Sequence, residues 1–143
     1  MKSKQGFTLV ELMVVAIIVA ILAAVAIPLM SAHKTRAAIT EAEAALGTIR
    51  TVLRAMYAET GAYNEDLSGN TITSTDPLDL PGLSAGDLDG RYFEDDDYTM
   101  AVTASGYTLT AAGDTAGTAP EGDLVNGVTV TLDEDGSFTR TGL

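Results

Sequence analysis

The sequence predicts an α+β protein in which one long N-terminal α-helix packs on a small antiparallel β-sheet of about four strands. Three observations lead there. A nearly unbroken apolar block runs from Phe7 to Met30, apolar residues then recur at helical spacing as far as Met56, and short alternating runs separated by glycine turns fill the C-terminal third. At 143 residues the chain suits one small domain plus an appendage, and a two-domain enzyme is not expected.

Between Phe7 and Met30 only Thr8, Glu11 and Pro28 interrupt the hydrophobic run. These 24 residues exceed the roughly 20 needed for a helix to cross about 30 Å of hydrocarbon. In lipid the backbone must pair within the segment, so Leu12 to Ile27, rich in Val, Ile, Leu and Ala, is read as a helix. Lys2 and Lys4 stand just before it and, by the positive-inside tendency, hold the N-terminus in the cytoplasm while the rest faces outward. Glu11 is the anomaly. A carboxylate inside a membrane helix costs about 2.5 to 3.5 kcal/mol at the centre and less near the end, so Glu11 either snorkels to the interface or marks function.

Past Pro28, a proline that should kink or loosen the helix, Ile39, Ala42, Leu46, Ile49, Leu53 and Met56 recur every three or four residues as one buried stripe. Charges fall mostly elsewhere, at Lys34, Arg36, Glu41, Glu43, Arg50, Arg54 and Glu59, and Gly61 is a stop signal. A continuous helix from Phe7 to about Thr60 would extend roughly 80 Å. Residues 61–97, with Gly61, Gly69, Pro77, Pro81, Gly82, Gly86 and Gly90, read as a variable connecting loop. Two hairpins follow: Tyr98–Ala104 with Tyr107–Ala112 around Ser105-Gly106, and Gly127–Leu132 with Ser137–Thr141 around Asp133-Glu134-Asp135-Gly136. Residues 113–126 are a Gly-rich link between them. The helix stripe is expected to bury against Val102, Leu109, Val128, Val130 and Phe138.

Composition excludes several functions. The formal charge is −12, and after residue 60 sixteen acids face only Arg91 and Arg140, so that half should repel nucleic acid and stay hydrated. Cysteine is absent and His33 is the single histidine, which removes disulfides, thiol nucleophiles and zinc sites. No nucleophile–base pair, phosphate loop or metalloprotease motif is present, so no catalytic residue is assigned. Glu94 to Asp97, the densest acidic run, reads as a solvated loop that discourages edge pairing. The aromatics Tyr92, Phe93, Tyr98 and Tyr107 read as packing residues.

The segment Lys4-Gln5-Gly6-Phe7-Thr8-Leu9-Val10-Glu11-Leu12-Met13 resembles the class III signal of type IV pilins and type II secretion pseudopilins. The resemblance covers the whole chain in element order and length, but only the first 30 residues are specific. It implies that a membrane prepilin peptidase cuts after Gly6 and methylates the new amino group of Phe7. It also implies that Glu11 neutralises the terminal amine of a neighbouring subunit, and that Pro28 sits where the helix unwinds in the filament. Residues 1–6 are then a cleaved leader, 7–30 a transmembrane and assembly helix, 31–60 an amphipathic helix on the head, 61–97 a connecting loop and 98–143 the head's sheet. The implied partners are other pilins or pseudopilins, the peptidase, the inner-membrane assembly machinery and the membrane itself. The implied place is the inner membrane with the head outside the cytoplasm, then a surface pilus or a periplasmic pseudopilus.

Physics agrees with such processing, since a cut after Gly6 removes Lys2 and Lys4 yet leaves the apolar helix whole. The rival is an ordinary secretory signal cut at Ala24-Val25-Ala26, against which stand the length of the apolar run, its acid and a product beginning Ile27-Pro28. A second alternative is a membrane-tethered acidic module that binds a cationic ligand without polymerising. No cofactor is assigned. Pseudopilins often hold calcium in a C-terminal loop, which makes Asp114, Glu121, Asp123, Asp133 and Asp135 weak candidates, although the Asp133 run lacks the later glutamate of an EF-hand.

Overall fold

The computed structural model describes residues 6–113, 119 and 125–142. Helix α1 spans Leu9–Thr60, 52 residues, and continues through Pro28 without a break in its assignment. It starts because Thr8 caps it: the Thr8 hydroxyl accepts the Glu11 N–H at 3.3 Å and its carbonyl accepts the Leu12 N–H at 3.2 Å. It stops at Gly61, whose φ of 83° carries the chain away while its N–H still reaches the Tyr57 carbonyl at 2.9 Å. The chain forms two compact units, residues 1–34 and 35–143. The first is bare helix surface; the second holds the core.

In the second unit Ala38, Ile39, Ala42, Leu46, Ile49, Leu53 and Met56 are all buried, the stripe expected from their spacing with one alanine added. They share a core with a meander of four antiparallel strands: β1 (Tyr98–Val102), β2 (Tyr107–Ala112), β3 (Thr129–Asp133) and β4 (Phe138–Thr141), in that order across the sheet. Register places Met100 opposite Leu109 and Leu109 opposite Leu132, with Tyr98, Ala111 and Val130 forming the adjacent row. Period-two alternation therefore sends one apolar row to the core and threonines to the other face.

The strand limits differ slightly from expectation. β1 ends at Val102, because the Thr103 N–H turns to bond the Gly106 carbonyl at 2.8 Å. β3 begins two residues late, because Gly127 is spent on a turn at φ 78°. Val102 and Phe138, read as core, are only partly buried, since both lie at the rim of the sheet.

The larger correction concerns residues 61–97, which are more than a connector. Leu80, Leu83, Leu88, Tyr92 and Phe93 are buried in the main core, and single turns of 3-10 helix form at Pro77–Asp79 (η1) and Asp95–Asp97 (η2). Those leucines lie among glycines and acids without periodicity, so no pattern announced their burial.

A carboxylate from α1 fixes this region. Glu41 accepts the backbone N–H groups of Arg91 at 3.0 Å, Tyr92 at 2.8 Å and Phe93 at 3.0 Å. A side chain on residue 90 would collide with Glu41, so glycine is needed there. Within the loop Asp95 accepts N–H bonds from Gly86 at 2.5 Å and Leu88 at 3.0 Å, Asp89 accepts that of Asp95, and Asp97 accepts that of Glu94. The acidic run thus has internal structural duties as well as solvated charge, and Asp97 is buried. In the Asp66–Asn70 turn, the Asn70 N–H and then its side-chain amide hold the Asp66 carboxyl below its ordinary value.

Burial pushes the Tyr98 phenol well above its ordinary value, and the charges of Glu41, Asp97, Asp95 and Asp89 push the same way. Burial also raises Tyr107, despite the opposing charge of Arg50. A raised acid favours the fold fully below the unfolded value of 10.0 and loses that contribution as pH rises toward the folded one. Stability is therefore expected to fall above about pH 10, and absorbance titration should show Tyr98 ionising only with unfolding. Glu41→Ala leaves three N–H groups without their charged acceptor and should cost about 2 kcal/mol or more in denaturant unfolding. Leu46→Ala should cost about 2 to 5 kcal/mol in the same assay.

Candidate functional site

The residues singled out for processing lie where the chain turns from extended to helical. Gly6, Phe7 and Thr8 precede α1 and are exposed, and a side chain on residue 6 would meet nothing within 4 Å. These three residues lie outside regular secondary structure. Phe7 is 79% exposed, and Glu11 stands four residues on in the first helical turn. An acid there suits the positive end of the helix dipole. Phe7 and Glu11 thus share one helix end. Pro28 lies 17 residues beyond Glu11, about 25 Å along the axis, and belongs to no common cluster with them.

Thr8 was missed as a functional element, although the signal was legible: threonine followed three residues later by glutamate is the pattern of a capping box. Here the threonine half is made.

Beyond the first turn, α1 is apolar on every side. From Leu9 to Met30 its large residues stay roughly half to four-fifths exposed, including Leu9 at 80% and Ile27 at 70%. It is long and apolar enough to cross a membrane, and none of its most apolar stretch is covered by the rest of the chain. A helix apolar all round requires lipid or protein on all sides. The surface can therefore exchange one cover for another without changing its own shape.

Among the proposed calcium ligands, Asp133 and Asp135 lie on the β3–β4 turn. The Asp133 carboxylate accepts the Ser137 N–H at 2.8 Å, which makes it part of the turn. Asp114, Glu121 and Asp123 lie outside the described residues. Among the described residues no group of three or more His, Cys, Asp or Glu side chains is placed to hold a metal ion. Tyr92, Phe93, Tyr98 and Tyr107 are all buried, and Phe93 and Tyr98 meet with ring centres 6.0 Å apart.

Comparison with known proteins bears on this N-terminal segment. Residues 1–27 match the family model described as the prokaryotic N-terminal methylation motif. The chain is 35% identical over 85 residues to the fimbrial protein EcpB of Eikenella corrodens, a match covering 59% of this chain and 54% of that one. It is 39% identical over 59 residues to a fimbrial protein of Pseudomonas aeruginosa, covering 41% of this chain and 38% of that one. The chain thus spans about half or less of the length of these curated relatives. No solved structure matches it. The chain is thus similar at its N-terminus to proteins carrying the prokaryotic N-terminal methylation motif and, over part of their length, to fimbrial proteins.

Proposed function

We propose that the chain is a structural subunit of a type IV pilus or a pilus-like filament, made as a precursor, cut after Gly6, methylated at Phe7 and polymerised through α1. The observation that carries this reading is the uncovered apolar helix of the first unit directly behind a methylation motif. Before assembly, lipid covers that helix in the inner membrane, with the head outside the cytoplasm; after assembly, copies of the same helix do. Transfer between two apolar surroundings costs little hydrophobic free energy, whereas release into water would cost about 25 cal/mol for each Å² exposed. The subunit is therefore confined to membrane or polymer.

Glu11 gives that exchange its register. Its carboxylate, at the end where cleavage creates an amine on Phe7, would meet the amine of a neighbouring copy. Pairing offsets the desolvation of both charges, and a missing partner costs about 3 to 5 kcal/mol. Pro28, which has no N–H to donate within α1, is the place where the helix would open under tension. The partners on this reading are further pilin or pseudopilin copies, the prepilin peptidase and the inner-membrane assembly machinery. A surface pilus is favoured over a periplasmic pseudopilus, because the relatives are named as fimbrial proteins.

Native protein analysed by intact mass and N-terminal sequencing should begin at methylated Phe7; a product that keeps Met1, or begins at Ile27, would sink the proposal. Glu11→Ala should be cleaved normally yet yield on the order of 100-fold less sheared polymer, from the cost of an unpaired buried amine. Electron microscopy of sheared surface material should show long filaments, and adding calcium or a chelator should leave the melting temperature unchanged.

A further inference from the structure

We infer that the head carries a docking face for a second copy of this chain, the side of α1 that bears Arg36 and Arg54, with Arg54 met by Asp96 on the neighbour's acidic loop. This rests on the filament reading, which supplies the neighbour.

Arg36 and Arg54 are 18 residues apart, five turns at 3.6 residues each, so both project from one side of α1. Both are exposed, and among the described residues neither guanidinium has an ion pair or a hydrogen bond. Other cations among the described residues are engaged. Arg140 pairs with Glu43, Lys34 and Arg91 have partners, and half-buried Arg50 lies against Gly136 on the β3–β4 turn. The chain therefore offers two unanswered arginines on an otherwise acidic surface.

The complementary group is found in the 87–97 loop. Asp89, Asp95 and Asp97 accept backbone N–H groups there, as does Asp87 from Ser84 at 2.8 Å. Asp96 is exposed at the centre of η2 and accepts none, so its charge is available. The loop around it is held by those bonds and by Glu41, which means that little ordering remains to be done on docking. Of the other exposed acids in tight turns, Glu134 lies against Gly106, Asp135 adjoins Gly136 with its Arg50 neighbour, and Asp79 ends η1, whose turn no described hydrogen bond ties to α1.

Charge supplies the driving force. Copies of a chain whose formal charge is −12, and more negative once Lys2 and Lys4 are cut away, repel when their heads are brought together, so a polymer of them gains from any contact of opposite sign. Arginine is suited to the task because its planar fork holds a carboxylate by two N–H groups. Face and loop are different patches of one molecule, so the contact is heterologous and propagates as an open chain.

The test uses full-length protein in its native host. Because the chain has no cysteine, Arg54→Cys with Asp96→Cys in one chain should give a ladder of disulfide-linked oligomers from sheared filaments, while each single variant, whose cysteine faces no other, should stay monomeric. Arg36→Glu with Arg54→Glu should lower sheared polymer about tenfold at low salt, with normal cleavage after Gly6 and an unchanged melting temperature of the membrane-extracted subunit. Adding Asp96→Arg should restore it, and in about 1 M salt, where screening acts within roughly 3 Å, the wild type should lose the same advantage. Filaments without a ladder, or loss without recovery in the compensated variant, would overturn the inference while leaving the filament reading intact. Failure of the wild type to polymerise at all would remove both.

Discussion

The constraint on which the rest depends is the first half of α1: an apolar surface around the whole helix that the chain itself does not cover. Every large side chain from Leu9 to Met30 that would sit in the core of a soluble protein is here turned outward. Such a helix has no stable existence in water, which leaves lipid or another apolar protein surface as its cover. The second unit has a core of its own. Residues 35–143 supply one from a single helix stripe, one face of four strands and five apolar residues of the intervening loop.

Opposite demands fall on the two halves of one helix. In the first, side chains are apolar in all directions and hydrogen bonding is confined to the backbone. In the second, burial is one-sided and the exposed side is kept low in free polar groups: Thr40, Thr48 and Thr51 each donate their hydroxyl to the carbonyl four residues earlier, at 3.0, 3.2 and 2.9 Å. The acids of the head are likewise partly internalised, serving as acceptors for backbone N–H groups where repeated glycines leave the loop without regular structure. With no cysteine available, carboxylates do much of the bracing of the 84–97 region.

How much of this could be read beforehand follows from periodicity. The helix stripe, the four strands and the two turns all announced themselves, because spacings of 3.6 and 2 are written directly into residue order. Gly6, Phe7 and Glu11 were legible through a motif, and their exposure at the start of α1 is consistent with it. What escaped was burial without period. Leu83 and Leu88 are isolated leucines in a polar loop, and their burial depends on how η1, η2 and Glu41 fold that loop back. Glu41 itself was grouped with surface charges, because a sequence shows that a residue is off the apolar stripe but not that a distant backbone will present three donors to it. The pairing of Glu43 with Arg140, 97 residues apart, was invisible for the same reason.

Glu41 also acts as a key for the position of α1 in its seat. Sliding the helix by a single residue would carry that carboxylate about 1.5 Å along the axis and some 100° around it, out of reach of all three amides it serves. An aliphatic stripe alone would tolerate such a slip with modest repacking, since its alanines and leucines recur at nearly equivalent steps. The polar contact at residues 91–93 disfavours the alternative alignments, so residues 35–60 of α1 keep a single seat against the sheet and the 84–97 loop.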